Sequence, residues 1–225
     1  MKKPEYSTAR IWRIFDVMAP SKGFKRTHDF WGSSLPFSVE VEHLASPHDV
    51  VALNRDHYEG SELDLTKGFS AGPFSSPIRY DVGFGYPGEV AGDNENNMTQ
   101  WDRMYGAFPR AIGIMRTSWS LVAQCRGGLD NSIGGVLWYS QYQPSAAGYT
   151  PLYASTLDLP VSFTRGSLYE MTEDSSYWAF CTVGNWMQLM WKYMNPDVVA
   201  LQMELETGFS DQISALDEKA SKMIE

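Results

Sequence analysis

Apolar residues recur at helical spacing near the start of the chain. They fall three or four residues apart, as on one face of an α-helix. Pro20 cannot continue a helix, so the pattern predicts an amphipathic first helix that ends near Pro20, followed by an irregular segment over 21–45. The residues with this spacing are Ile11, Ile14, Phe15 and Met18.

A start signal predicts a second helix. Ser46 can cap it, Pro47 suits its first turn, and Asp49 favours the positive end of the helix dipole. The helix is expected to end near Gly60. The run 60–92 contains many glycines and prolines, which predicts a long ordered loop.

The period changes to two after Ile112, which is typical of a β-strand. Two further runs, at 133–140 and 149–155, predict an antiparallel meander of three strands. Pro151 cannot donate a ladder hydrogen bond, so the last strand should be short or lie at an edge. One face of the first strand carries Trp119, Leu121, Ala123 and Cys125, and the other carries Ser118, Ser120, Val122 and Gln124.

The C-terminal residues predict helices that pack on this sheet. A heavily apolar helix is expected over 176–206, with a kink or break at Asn195-Pro196. A last helix is expected after Gly208, with Ser210 as its cap. These elements together indicate an α+β fold with helices flanking an antiparallel sheet.

Composition and charge argue against some classes of function. Hydrophobic residues make up 43% of the 225 residues, and no apolar run approaches the roughly 18 residues of a membrane span. The net charge of −9, without a basic cluster, argues against nucleic acid or a membrane surface as a partner. The chain lacks a Pro/Gly/Ser linker, so a single domain over 1–225, or the C-terminal portion of one, is predicted.

Blocks rich in Trp, Tyr and Gly carry a family resemblance. The chain resembles, in the same order, the central to C-terminal part of the cysteine-type dipeptidases, which belong to the N-terminal-nucleophile hydrolases. The resemblance covers most of the chain. Its blocks are RDHYEGSELDLTKGFSAGPFSSPIR (55–79), RTSWSLVAQCR (116–126), IGGVLWYS (133–140), GYTPLYAS (148–155) and DSSYWAFCTVGNW (174–186).

This resemblance implies part of a four-layered αββα sandwich and the hydrolysis of dipeptides. The family's nucleophile is a cysteine that becomes the first residue of the mature enzyme, where its α-amine, with a pKa of about 7.7–8.0, can act as the base. The start MKKPEYSTARIWRIFD has no counterpart of that segment. No catalytic residue is therefore expected in this chain, and the missing N-terminal half or a homo-oligomer is the expected partner.

Two alternatives stay open. The chain could instead be a non-catalytic interaction module derived from the family, or Cys125 could have become an internal nucleophile. Cys125 and Cys181 are more simply interpreted as small buried hydrophobes. The start of the chain lacks the apolar stretch of a signal peptide, and this leaves the compartment open.

A dipeptide presents an ammonium group, a carboxylate and one peptide bond. Arginine suits the carboxylate because it binds it with two hydrogen bonds. Arg79 and Arg116 lie within the matching blocks and are candidate substrate-binding residues. The alternative for either arginine is a salt bridge with Asp64 or Asp81 that anchors the loop.

Three further residues are candidates for substrate binding. Asp56 and His57 could take part in the site, although fastening of the helix end to the long loop is the favoured interpretation. The amide of Asn185 could donate to an oxyanion, or it could be a buried amide bonded to a neighbouring helix. Gly68 and Gly72 are expected to adopt positive φ in the loop.

The sequence implies no cofactor and no metal. The run DNENN at 93–97 is rich in oxygen ligands but lacks the glycine and terminal glutamate of a calcium loop, so a solvated loop is favoured. Zinc spacing and a phosphate-binding glycine motif are also lacking.

Overall fold

The computed structural model describes residues 7–26, 34–68, 71–78 and 110–224. Within these ranges the chain forms five α-helices and one three-stranded antiparallel sheet. The predicted α+β class is confirmed, while the αββα sandwich stays a prediction. Two compact units divide the chain, Met1–Ile114 and Met115–Glu225, and the single domain also stays a prediction.

The first unit begins with helix α1, Thr8–Met18, which confirms the predicted helix and its end before Pro20. The predicted face is buried in part: Phe15 and Met18 are buried, whereas Ile11 and Ile14 are 42% and 38% exposed. The buried face also includes Trp12, whose indole Nε1 donates to the Phe24 carbonyl at 2.7 Å. A short 3₁₀ turn, Pro20–Lys22, follows. The buried residues of α1 are Thr8, Ala9, Trp12, Phe15 and Met18.

Helix α2, Pro47–Asn54, begins as predicted with a capping box. The Ser46 hydroxyl accepts from the Asp49 backbone N–H at 3.2 Å, and the Asp49 carboxylate accepts from the Ser46 N–H at 2.7 Å. The predicted end near Gly60 is wrong, because the helix stops at Asn54. After this end, Asp56 bonds to α1 and His57 bonds to the loop.

The predicted long loop is described over 60–68 and 71–78, where it consists of turns and short 3₁₀ segments. Gly68 and Gly72 have φ angles of 77° and 66°, which confirms the predicted positive φ. Residues other than glycine rarely adopt this backbone conformation. The run at 93–97 lies outside the described residues.

The second unit contains the predicted meander. Its strands are β1 (Trp119–Cys125), β2 (Gly135–Gln141) and β3 (Thr150–Tyr153). They lie in the order β1-β2-β3, and both pairs are antiparallel. Pro151 lies on the edge strand β3, as predicted.

The two faces of this sheet are buried unequally. Val122, Trp138 and Ser140 share one face, and they are 8%, 3% and 1% exposed. On the other face, Trp119 and Leu121 are 56% and 40% exposed. Cys125 shares that second face and is exposed, so its prediction as a buried hydrophobe is wrong.

Three helices follow the sheet: α3 (Val161–Thr164), α4 (Ser176–Leu189) and α5 (Trp191–Ile224). The break falls at Met190 instead of at Asn195-Pro196, and Pro196 lies within α5. The prediction of a separate last helix after Gly208 is also wrong, because α5 continues through Gly208 and Ser210. Within the described residues, the structure contains no helix whose length and hydropathy suit a membrane crossing.

Two buried polar side chains of α5 hold the segment between β2 and β3. The Gln202 amide donates to the carbonyls of Pro144, Ser145 and Ala147 at 3.3, 3.2 and 2.9 Å. The Glu206 carboxylate accepts from the Tyr149 backbone N–H at 2.9 Å. These bonds join α5 to the backbone of this segment.

Candidate functional site

The candidate residues lie in different parts of the chain. Asp56 and His57 belong to the first unit, and Arg116 and Asn185 belong to the second. Arg79 lies outside the described residues, as does its alternative partner Asp81. Asp56 and His57 therefore lie together in the first unit, and Arg116 and Asn185 are described below within the second unit.

Asp56 is the centre of a polar cluster directly after α2. Its carboxylate accepts from the Arg13 guanidinium at Nε, 3.0 Å, and at Nη2, 2.7 Å. The Arg13 and Asp56 side chains are only 12% and 11% exposed. Burial acts to lower the pKa of Arg13, but the hydrogen bond and charge of Asp56 outweigh it and raise that pKa.

The same carboxylate also fixes the turn that follows. It accepts from the Tyr58 backbone N–H at 2.8 Å. Tyr58 is fully buried, and its hydroxyl donates to the Arg110 carbonyl at 2.5 Å. Burial raises the pKa of Tyr58, so the phenol stays protonated as a donor. Asp56 thus joins α1 to the turn after α2.

His57 is 3% exposed and bonds to a carboxylate two residues away. Its Nδ1 lies 3.0 Å from Glu59 Oε1, and its backbone N–H donates to Glu59 Oε2 at 2.6 Å. Burial acts to raise the pKa of Glu59, but the bond to His57 lowers it below its ordinary value. The His57 carbonyl accepts from the Leu65 N–H at 3.1 Å, which fastens the turn to the loop.

Asp64 completes the cluster from the loop side. It accepts from the Gly60 N–H at 3.0 Å and from the Thr66 hydroxyl at 2.5 Å, and it pairs with Lys67 at 2.9 Å. Burial opposes ionisation, but these bonds lower the pKa of Asp64 to about 2. The block 55–66 is therefore a dense fastening of the loop, in line with the favoured interpretation of Asp56 and His57.

Arg116 is exposed and lies in a turn three residues before β1, rather than at the start of the strand. Its guanidinium is thus positioned near solvent. Its role as a substrate-binding residue stays a prediction.

Asn185 is exposed on α4, so its alternative interpretation as a buried amide is wrong. Its Nδ2 donates to the Cys181 carbonyl at 2.8 Å and to Cys181 Sγ at 3.3 Å. Both bonds lie within one helix. Near the same thiol, burial and then Cys181 raise the pKa of Tyr142 to about 12.

The two cysteines have environments unlike that of a catalytic dyad. Cys181 is half-buried and accepts from Asn185, while Cys125 is exposed on β1. The sequence places every histidine before residue 58, so the second unit contains none. Within the described ranges, no three His, Cys, Asp or Glu side chains converge as metal ligands.

A cleft in the first unit was not predicted from the sequence. Its volume is about 430 Å³. Arg26 and Glu62 pair across it at 3.0 Å, and the Glu62 side chain is 62% exposed. The cleft therefore has positively charged, negatively charged and aromatic side chains in its walls. Its lining residues are Trp12, Phe24, Lys25, Arg26 and Glu62. The adjacent Lys25-Arg26 pair is the only local signal, and it did not reveal Glu62, which lies on the distant loop.

Comparison with known proteins then identifies the class. The sequence of residues 1–204 matches the model of a peptidase family. The chain belongs to peptidase family C69, a family of cysteine-type dipeptidases. No curated protein sequence matches the chain. Membership supports a hydrolase with a general peptidase or dipeptidase function, and the predicted family is confirmed.

Proposed function

We propose that the protein acts in the hydrolysis of dipeptides by cysteine nucleophile catalysis, with this chain supplying binding and structural parts of the enzyme. The family match over residues 1–204 carries the proposal. The nucleophile is neither of the chain's two cysteines. Cys181 Sγ already accepts a hydrogen bond from Asn185. Both cysteines are internal, so neither has the free α-amine that can serve as the base.

Arg116 is the favoured partner of the substrate carboxylate. Asp56 is engaged by Arg13 on two nitrogen atoms, and His57 is engaged by Glu59. Their hydrogen bonds leave them little capacity to bind a substrate. Arg116 is exposed, and Arg79 and Asn185 remain further candidates of the same proposal.

The cleft in the first unit is a second place where a zwitterion could bind. Glu62 suits the substrate ammonium, and Lys25 and Arg26 suit its carboxylate. A dipeptide would exchange the existing pair between Arg26 and Glu62 for one pair at each of its ends. Trp12 and Phe24 offer apolar surface for a substrate side chain.

A second candidate function is a non-catalytic interaction module of the same family. The exposed apolar side chains of the sheet, Trp119 and Leu121, favour it, because uncovered apolar surface often marks an interaction site. The partner would be the part of the enzyme that carries the nucleophile or another copy of the chain.

Hydrolysis of matched substrates tests the proposal. The protein isolated from its natural source should cleave free dipeptides, whereas the N-acetylated and C-amidated forms of the same dipeptides should be cleaved at least about tenfold more slowly. Loss of one charged contact costs that much when each end is held by a charge-assisted hydrogen bond. No cleavage of any free dipeptide in a broad panel would favour the interaction module.

Variants then separate the two binding places. Arg116→Ala should raise KM for free dipeptides while leaving the rate on the C-amidated form unchanged, because the amide lacks the charge that Arg116 would bind. Arg26→Ala should have that effect instead if the cleft binds substrate. Equal losses on free and amidated substrates in both variants would contradict a role for either arginine in carboxylate recognition.

A further inference from the structure

The cleft in the first unit has side walls of opposite charge. Lys25 and Arg26 are neighbours on the segment that follows the 3₁₀ turn, and Glu62 comes from the loop after α2. The Arg26 Nε atom lies 3.0 Å from Glu62 Oε1, so the two walls meet at this ion pair. Because the lining contains two positive side chains and one negative side chain, the cleft as a whole attracts a negatively charged ligand.

Lys25 supplies the extra positive charge. It is exposed, and it forms no ion pair with any residue that the structure describes. Arg26, by contrast, is held by Glu62. A lysine carries a compact charge on a flexible stem, so Lys25 can turn toward a ligand that the neighbouring Arg26 already binds.

The two charged walls assign the two ends of a dipeptide. Its ammonium group pairs with Glu62, and its α-carboxylate pairs with the planar fork of Arg26, which suits a carboxylate with two hydrogen bonds. Lys25 then remains beside the C-terminal residue of the dipeptide. A second negative group on that residue would give Lys25 a partner.

The order of the two residues in the dipeptide therefore matters. When the C-terminal residue is acidic, both carboxylates belong to one residue and can pair with the adjacent Lys25 and Arg26. When the first residue is acidic, its side-chain carboxylate lies beside the ammonium group and therefore near Glu62. Like charges placed together are unfavourable, so the cleft disfavours the second arrangement although both dipeptides have the same net charge.

The size and the aromatic wall of the cleft suit a ligand of this kind. Its volume of about 430 Å³ falls within the range of about 300–1,000 Å³ that is usual for small-molecule sites. The Trp12 indole is fixed by its hydrogen bond to the Phe24 carbonyl, and the Phe24 ring packs on Phe15 with centroids 5.4 Å apart. This wall is thus formed before a ligand binds, and it offers apolar surface to the aliphatic parts of a dipeptide.

We propose that this cleft selects dipeptides whose C-terminal residue is acidic. Glu62 binds the ammonium group, Arg26 binds the α-carboxylate, and Lys25 binds the side-chain carboxylate and determines the specificity. The step from bound ligand to substrate rests on the proposed function, whereas binding is measured without turnover.

Isothermal titration calorimetry of the full chain with three matched dipeptides tests the selectivity. Alanyl-glutamate should bind about fivefold more tightly than alanyl-glutamine, which has nearly the same shape but lacks the second negative charge, given the modest strength of an exposed ion pair. It should also bind more tightly than glutamyl-alanine, which has the same composition and net charge. Equal affinity for the three dipeptides, or no binding of alanyl-glutamate, would overturn the proposal.

Lys25→Met separates recognition in the cleft from general electrostatic attraction. Methionine keeps an unbranched side chain and removes the charge, so this variant should bind alanyl-glutamate and alanyl-glutamine equally. Lys22→Met is the matched control, because Lys22 is an exposed lysine of the preceding 3₁₀ turn that does not line the cleft. The control should keep the preference for alanyl-glutamate. A preference that is lost in both variants, or in neither, would exclude Lys25 as its source.

Turnover separates this inference from the proposed function. In the protein isolated from its natural source, kcat/KM should be higher for alanyl-glutamate than for alanyl-glutamine. A protein that prefers alanyl-glutamate in binding but hydrolyses no dipeptide would refute the proposed hydrolysis and support the acidic-ligand site. Hydrolysis of dipeptides without a preference for alanyl-glutamate in binding or turnover would support the proposed function and refute this inference.

Discussion

Asp56 is the residue on which most of the first unit's polar contacts converge. It joins Arg13 of α1 to the turn after α2 and caps the Tyr58 backbone N–H. Since both partners of the ion pair are nearly buried, removal of the carboxylate leaves a nearly buried guanidinium with only the more exposed Asp16 as its counter-charge. Such a loss is much more costly than the loss of a surface pair.

Asp56→Ala is therefore expected to lower the free energy of unfolding by about 3 kcal/mol, measured by urea denaturation. The control is Asp16→Ala. Asp16 also pairs with Arg13, at 3.2 Å, but its side chain is 34% exposed, so its loss should cost less than about 1 kcal/mol. A stable Asp56→Ala protein would favour the alternative, in which Asp56 takes part in substrate binding instead of fastening the loop.

Contacts between residues close in the sequence could be predicted, and contacts between residues far apart in the sequence could not. The capping box of Ser46 and Asp49 depends on residues three apart, and the glycines with positive φ need no partner at all. The partner of Asp56 lies 43 residues away, and neither hydrophobic period nor residue type indicates such a pairing. The exposure of Cys125 likewise depends on which sheet face the helices cover.

At the scale of elements, α5 holds the sheet through buried polar groups. Gln202 and Glu206 are each 4% exposed and bond to the backbone of the segment that leads into β3. At the other end of the sheet, Arg126 pairs with Asp217, whose carboxylate also accepts from the Tyr153 hydroxyl at 2.8 Å. The helix is thus fixed to the sheet at two points.

Gln202→Ala should lower the free energy of unfolding by about 2 kcal/mol, because it removes the buried hydrogen bonds from the Gln202 amide to three backbone carbonyls. Met203→Ala is the neighbouring control, and its exposed side chain should matter by less than about 0.5 kcal/mol. Thermal or urea unfolding of the two variants compares them directly. Equal stability would mean that water replaces the Gln202 amide.

The strands could be predicted more completely than the helices. The period of two and the turn residues define a meander without reference to any other element. The helix break fell at Met190 and not at Pro196, and Gly208 did not end α5. Proline and glycine are only local penalties, and buried anchors on both sides, Trp191 and Ile213, keep the helix continuous.

At the scale of the whole molecule, the family rests on five sequence blocks whose residues serve different purposes. The block 55–79 mostly fastens a loop, and three others form strands or their connections. Blocks that maintain a fold identify a family well, but they do not identify its reacting atoms. The substrate-binding candidates therefore stay predictions, while the family and the α+β class are confirmed.

Inactivation by a thiol reagent tests whether a cysteine is the nucleophile. The protein isolated from its natural source is assayed on free dipeptides before and after iodoacetamide, beside a recombinant Cys125→Ala, Cys181→Ala form of the same natural protein. We expect both forms to hydrolyse dipeptides and both to be inactivated by iodoacetamide. Turnover that survives alkylation in both forms would contradict cysteine nucleophile catalysis, and turnover lost in the double variant would return the nucleophile to Cys125 or Cys181.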